Sequence, residues 1–260
     1  MRKSMLAGLL ALTLVLSGCG GKGDASASGS GSGNASGSAS GSEPVNVPTA
    51  EEVQTARKTL EDAVESLRTT GTLPGFEEVL NLPLGEASYR YDIADVDGDG
   101  YEELYLVQDG GYMAAMVALI LDGQGGKLRA ELSEFPTLTA YDNGCIRADA
   151  SHNPGLAGDF WPYTLYVYDP ESDLYRDVGS VDAWSRDFQP QNYPVDTDTS
   201  NSGFVYYVYR DMGTEYGLLS PVDESQYLQW REEYLSGAAE LELPWQSLTA
   251  EHIQTLTAAG

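Results

Sequence analysis

The chain has 260 residues, with 14 Lys or Arg against 40 Asp or Glu, and a net charge of −26 at neutral pH. Repulsion from phosphate and from anionic headgroups excludes nucleic-acid binding and charge-driven adsorption to a membrane. The same field favours capture of cations.

The amino terminus reads as an address. Met1-Arg2-Lys3 is a short basic head, and Met5 to Leu16 is an apolar run of 12 residues, the length of a signal peptide and too short for a lasting membrane span. Leu16-Ser17-Gly18-Cys19 follows and resembles a bacterial lipobox. The resemblance implies cleavage after residue 18, a diacylglycerol on Cys19, and stable anchoring through two acyl chains. The expected location is the extracytoplasmic face of the cell membrane. Residues 20–43 contain 20 Gly, Ser or Ala among 24 and predict a flexible tether, which runs on to Pro48. From Pro44 onward 11 basic residues face 38 acidic ones, which is −27, so the charge belongs to the remaining 217 residues. With Cys19 acylated, Cys145 stands alone and reads as a buried, inert thiol.

Residues 49–260 read as a single domain. Thr49-Ala50-Glu51-Glu52 has capping-box spacing, and Val53, Ala56, Leu60, Ala63, Val64 and Leu67 recur at threes and fours, predicting a helix that ends at Gly71 and Pro74. From Tyr89 the period becomes two. Strands are expected at 89–94, 104–108, 116–121, 127–132, 138–141, 145–148, 164–168, 175–181 and 204–209. Tight turns such as Leu121-Asp122-Gly123 and Asp142-Asn143-Gly144 join several of them. Asp223-Glu224-Ser225-Gln226 can cap a helix carrying Tyr227, Trp230, Tyr234 and Leu235, and Thr249 to Leu256 suggests a short last one. Trp230 and Trp245 are expected to anchor this end to the sheet. The fold class predicted is α+β: an antiparallel meander sheet flanked by an N-terminal helix and C-terminal helices.

One segment carries chemistry. In Asp95-Val96-Asp97-Gly98-Asp99-Gly100-Tyr101-Glu102-Glu103, carboxylates occupy positions 1, 3, 5 and 9. Oxygen ligands at that spacing suit calcium, and glycine permits the bend between them. The alternative is an Asp/Gly turn that binds nothing, but three clustered carboxylates repel one another without a cation. An EF-hand would place a bidentate glutamate at position 12, where this chain has Leu106. Residues 91–107 resemble the calcium loop of FG-GAP and VCBS repeats, and the single such segment of some uncharacterised bacterial surface lipoproteins. That resemblance implies calcium bound by Asp95, Asp97, Asp99, the Tyr101 carbonyl and Glu103. A propeller needs several copies of the loop, and one is present, so a single sheet is expected. Asp196-Thr197-Asp198 is at best a degenerate second copy, with Phe204 at position 9.

The function expected from these features is a non-catalytic surface lipoprotein, monomeric, with a structural calcium ion and an extracellular glycan or protein as ligand. Tyrosine rows such as Tyr163, Tyr166 and Tyr168, or Tyr206, Tyr207 and Tyr209, could stack on sugars or pack in the sheet. The alternative is a cell-wall or polysaccharide hydrolase using paired carboxylates. A solute-binding lipoprotein would need two α/β lobes, which a run of hairpins does not supply.

Overall fold

The computed structural model describes residues 47–77, 89–108, 116–153, 157–209 and 220–248, all within the compact unit Asn46–Gly260. The expected signal peptide, Cys19, most of the expected tether and the helix expected at 249–256 lie outside the described residues. The first element, α1 (Ala50–Thr70), begins with the capping box seen in the sequence: the Glu52 N–H donates to Thr49 Oγ1 at 3.3 Å, and the Thr49 N–H donates to Glu52 Oε2 at 2.8 Å. It stops at Gly71, whose φ of 71° lets its N–H return to the Leu67 carbonyl.

Among the described residues, eleven strands follow in two antiparallel sheets. The first contains β1 (Tyr89–Ala94), β2 (Glu103–Gln108), β3 (Val117–Asp122), β4 (Arg129–Glu134) and, from the far end of the chain, β11 (Gln246–Ser247), in the order β11-β1-β2-β3-β4. The second contains β5 (Leu138–Ala140), β6 (Cys145–Asp149), β7 (Tyr163–Asp169), β8 (Leu174–Ser185), β9 (Phe204–Tyr209) and β10 (Val222–Asp223), lying side by side in chain order. α2 (Glu224–Leu235) is capped by Asp223 and Gln226. The mixed α+β class, the antiparallel meander and both flanking helices are thus present. The meander, however, is divided between two sheets.

Burial explains the division. β2 is buried at every position. Its Leu104 and Leu106 face Leu60, Val64 and Leu67 of α1, together with Leu119 and Leu121. Its Tyr105 and Val107 face Ala140, Ile146 and Tyr175 of the second sheet, together with Ile120 and Leu132. A lone sheet with helices on one side would leave that second face in water, at about 25 cal/mol for each Å² of apolar surface. The far face of the second sheet is covered in turn by α2, where Tyr227, Trp230 and Leu235 pack on Leu165, Val181 and Tyr206. The layers run helix, sheet, sheet, helix.

The tyrosine rows mostly serve this packing. Tyr163 and Tyr206 are buried; Tyr206 stacks on Tyr227 with ring centroids 4.1 Å apart, and Tyr163 shares a hydrogen bond with Tyr227 at 3.0 Å. Tyr166 donates to Glu134, and Tyr168 turns toward the carboxylates described below. Trp245 meets Tyr105 edge to face at 5.2 Å beneath the Arg90 guanidinium, and Trp230 lies in the α2 core. Cys145 is free and buried, its thiol pushed up by burial. Among the described residues no helix is long and apolar enough to cross a membrane.

Candidate metal centre

The calcium-like segment forms the connection between β1 and β2. Successive aspartates pin its backbone: Asp95 Oδ1 accepts from the Gly98 N–H at 2.7 Å, Asp97 Oδ1 from Asp99 at 3.0 Å, and Asp99 Oδ1 from Tyr101 at 2.8 Å. Gly98 and Gly100 take φ values of 84° and 94°, which a side chain would resist. Val96 is buried against the second sheet and roots the loop. One oxygen from each of Asp95, Asp97 and Asp99 lies within 4.8 Å of the others, so the three side chains converge.

Glu103, expected as the ninth-position ligand, is not in that converging set. It opens β2, is 1% exposed, and its Oε2 accepts from the Val96 N–H at 2.8 Å. Its carboxylate therefore braces the loop from behind. Tyr101, whose carbonyl the resemblance implies as a ligand, is fixed through its N–H by Asp99. Both ends of the loop touch other elements. A Cβ at Gly100 would stand 3.2 Å from the Pro48 ring, and one at Gly144, in the β5–β6 turn, would stand 3.3 Å from the Asp97 carbonyl. Arg57 of α1 pairs with Glu102. The loop thus sits where the start of α1 and the two sheets meet.

A second acidic group adjoins it. Asp122 ends β3, Glu131 lies on β4, Asp173 lies in the β7–β8 turn, and one oxygen from each again falls within 4.8 Å of the others. Arg129 answers part of this charge. It pairs with Asp173 and lies 3.4 Å from Asp122 Oδ2 and 3.7 Å from Glu131 Oε1. Two side chains stitch the groups together. Tyr168 donates to Asp173 Oδ1 at 2.7 Å and reaches Asp99 Oδ2 at 3.4 Å. Gln124 donates its amide to Asp99 Oδ2 at 3.2 Å and its backbone N–H to Asp122 Oδ1 at 2.8 Å.

Seven carboxylates (Asp95, Asp97, Asp99, Glu103, Asp122, Glu131 and Asp173) therefore face one guanidinium. The electrostatic consequence is a reluctance to ionise at five of them, Asp97, Asp99, Glu103, Asp122 and Glu131. Burial, then the charge of Asp99, pushes Asp97 up to about 7. Burial and then Asp97 push Glu131 to about 9 and Glu103 to about 11. Asp99 and Asp122 are raised as well, chiefly by burial. Two of the carboxylate oxygens, Asp97 Oδ2 and Glu131 Oε2, are buried without any hydrogen-bond partner.

The loop residues could be picked out from the sequence because their ligands sit at fixed offsets. Asp122, Glu131 and Asp173 carry no such offset. They come together only through strand register and the contact between sheets, and each reads locally as a turn or strand carboxylate. The degenerate segment at Asp196 and Asp198 has a different use. Asp198 is buried and accepts from the Tyr193 hydroxyl at 3.0 Å and from the Ser202 and Gly203 N–H groups, with Arg186 at 3.5 Å, while Asp196 is exposed. Asp198 thus ties its own loop to Tyr193, Ser202, Gly203 and Arg186.

Compared with family models, curated proteins and solved structures, the chain matches none of them.

Proposed function

We propose that this chain is a lipid-anchored, non-catalytic module of the cell surface, with one calcium ion bound at Asp95, Asp97 and Asp99 to brace the junction of the two sheets. The observation that carries the reading is the convergence of those three carboxylates beside an Asp97 oxygen that is buried and unpartnered. Such an oxygen costs on the order of 1–3 kcal/mol when nothing satisfies it. A hard divalent cation satisfies it and offsets the repulsion among its neighbours. The likeness to an FG-GAP or VCBS loop supports the choice of calcium, and the lipobox and tether support an extracytoplasmic setting. With a dissociation constant near 0.1 mM and calcium near 1 mM, binding would stabilise the fold by about 1.4 kcal/mol.

That role is structural, and the ligand proposed for the module as a whole is an extracellular glycan or protein. Nothing in the cluster favours the hydrolase alternative. Glu103 and Glu131, the acids most reluctant to ionise, are 1% and 5% exposed, too buried for a polysaccharide to reach.

Replacing Asp97 and Asp99 together by Ala should abolish the rise in melting temperature that calcium produces, and with it the fall on adding chelator. A double variant that still responds to chelator as the parent does would remove calcium from the account. A glycan array probed with the full chain, with and without chelator, tests the ligand class.

A further inference from the structure

Asp122, Glu131 and Asp173 come from three places in the chain, and one oxygen of each lies within 4.8 Å of the others. Asp122 ends β3 and pairs across the ladder with Arg129. Leu121 pairs with Ala130 and Ile120 with Leu132, so Glu131 is the extra residue of a β-bulge on β4. A bulge re-aims a side chain that regular pairing would direct elsewhere. Asp173 belongs to the β7–β8 turn of the other sheet, where its N–H donates to the Asp169 carbonyl at 2.8 Å. The set therefore spans both sheets and shares no residue with the Asp95, Asp97 and Asp99 set.

One cation already faces these acids. Arg129 Nη2 pairs with Asp173 and lies 3.4 Å from Asp122 Oδ2 and 3.7 Å from Glu131 Oε1. Its Nη1 donates to the Asp173 carbonyl at 2.8 Å and reaches the Ser172 carbonyl at 3.4 Å. Carboxylate and carbonyl oxygens, the donors a hard cation prefers, thus gather around a single guanidinium. Three carboxylates against one guanidinium leave an excess of two negative charges when all are ionised. The shortfall shows at Glu131. Its side chain is 1% exposed and turned into the set, yet Oε2 has no hydrogen-bond partner. A buried acceptor in that state is costly, and the neighbouring carboxylates are acceptors too. Arg129, by contrast, is 39% exposed, so its guanidinium can withdraw into water.

We propose that Asp122, Glu131 and Asp173 form a second divalent-cation site, separate from the loop, for which the Arg129 guanidinium competes. Withdrawal of the guanidinium frees the Asp173 and Ser172 carbonyls as further oxygen donors. The ion clamps the β3–β4 end of the first sheet to the β7–β8 turn of the second. Because Arg129 has to be displaced, the site fills only after the loop, at calcium roughly tenfold or more higher. It stands or falls independently of the calcium reading of the loop.

The test is titration calorimetry of the full chain with calcium. It compares the parent, Arg129→Gln, Arg129→Gln with Glu131→Gln, and Arg129→Gln with Asp97→Ala and Asp99→Ala. Removing the guanidinium should tighten the second site roughly tenfold or more, so Arg129→Gln should bind two ions per chain where the parent binds one. Adding Glu131→Gln should return the count to one. Adding the two loop substitutions should also leave one. A single ion in Arg129→Gln that is lost with Asp97 and Asp99 would overturn the proposal and leave the loop reading intact, with Glu131 Oε2 satisfied by a proton. A single ion that survives the loop substitutions and is lost with Glu131→Gln would support the proposal and remove calcium from the loop instead. Absence of heat in every variant overturns both. Circular dichroism separates lost binding from lost fold. If Arg129→Gln unfolds, terbium carries the test on the parent, because a trivalent ion competes harder with the guanidinium. Two terbium ions should bind the parent and one should be lost in Glu131→Gln, whereas a count unchanged by Glu131→Gln would overturn the proposal.

Discussion

In chelator, the melting temperature of the full chain should fall as the pH is raised from 5 to 8, and calcium should restore progressively more of it at each step. Burial and mutual repulsion raise the folded-state pKa of Asp97 to about 7 and of Glu131 to about 9. The unfolded chain releases the same protons near pH 4. Above pH 5 the fold therefore holds protons that the unfolded chain has lost, and stability declines with rising pH. The Asp97 share of this decline ends near pH 7, and the Glu131 share continues to about 9. Each retained proton lowers stability by about 1.4 kcal/mol per pH unit, which is roughly 3–5 °C in melting temperature for a domain of this size. Calcium needs the ionised carboxylates, so its binding releases protons and its stabilisation grows with pH. Melting curves at pH 5, 6, 7 and 8 in chelator and in millimolar calcium should diverge toward the alkaline end. Parallel curves would mean that cation and protons do not compete for the same oxygens.

Trp230→Ala should be the most damaging single change in the α2 core, at about 3–5 kcal/mol. The indole is 1% exposed and lies against β8 where a Cβ on Gly179 would stand 3.0 Å from it and 3.1 Å from the Tyr209 carbonyl. It also touches Tyr227 and Tyr234, with ring centroids 6.4 and 5.9 Å away. The pairing of β7 with β8 shifts register beside Gly179, and the absence of a side chain at Gly179 leaves room for the indole. Alanine would leave a cavity under α2 that packed strands cannot close. Trp230→Phe should cost far less, within about 1–2 kcal/mol, because the indole N–H is buried without a partner and its loss removes an unsatisfied donor. Denaturant unfolding of the two variants checks the contrast. Equal losses would show that the indole N–H has a partner after all.

The elements most legible from the sequence are those whose signals are local. The first helix carries its capping box and a three-four apolar stripe within one stretch, and each of the nine expected strands has an observed counterpart, since Asp-Gly and Asn-Gly turns separate alternating runs. Less legible was how many sheets these strands make. Leu104-Tyr105-Leu106-Val107 and Val117-Ala118-Leu119-Ile120-Leu121 are nearly continuous apolar runs, and such runs mean burial on both faces. The single sheet expected from the sequence leaves the second face of these runs without cover, and the second sheet supplies it. The short strands β10 and β11 were not expected, because two-residue pairings leave no periodicity.

The candidate site divides along the same line. Asp95, Asp97 and Asp99 lie within five residues and converge through local turns, so their spacing alone singled them out. Glu103 stands at a ligand's offset yet turns inward to the Val96 N–H, a choice made by the strand it begins. Glu131 owes its position to one extra residue in a strand pair, and Asp173 owes its position to a turn of the other sheet. No offset along the chain encodes either relation. The proximity of these acids is a product of folding, and so is the repulsion that makes a cation welcome.

The most direct measurement is titration calorimetry of the full chain with calcium at pH 7.5, in the millimolar range expected for extracellular modules. The account predicts saturable binding at one site per chain, accompanied by proton release that shows as a dependence of the observed heat on the buffer. Heats no larger than those of dilution would contradict it, and would leave a two-sheet domain whose acidic cluster is held by protons, Arg129 and hydrogen bonds such as those of Tyr168 and Gln124.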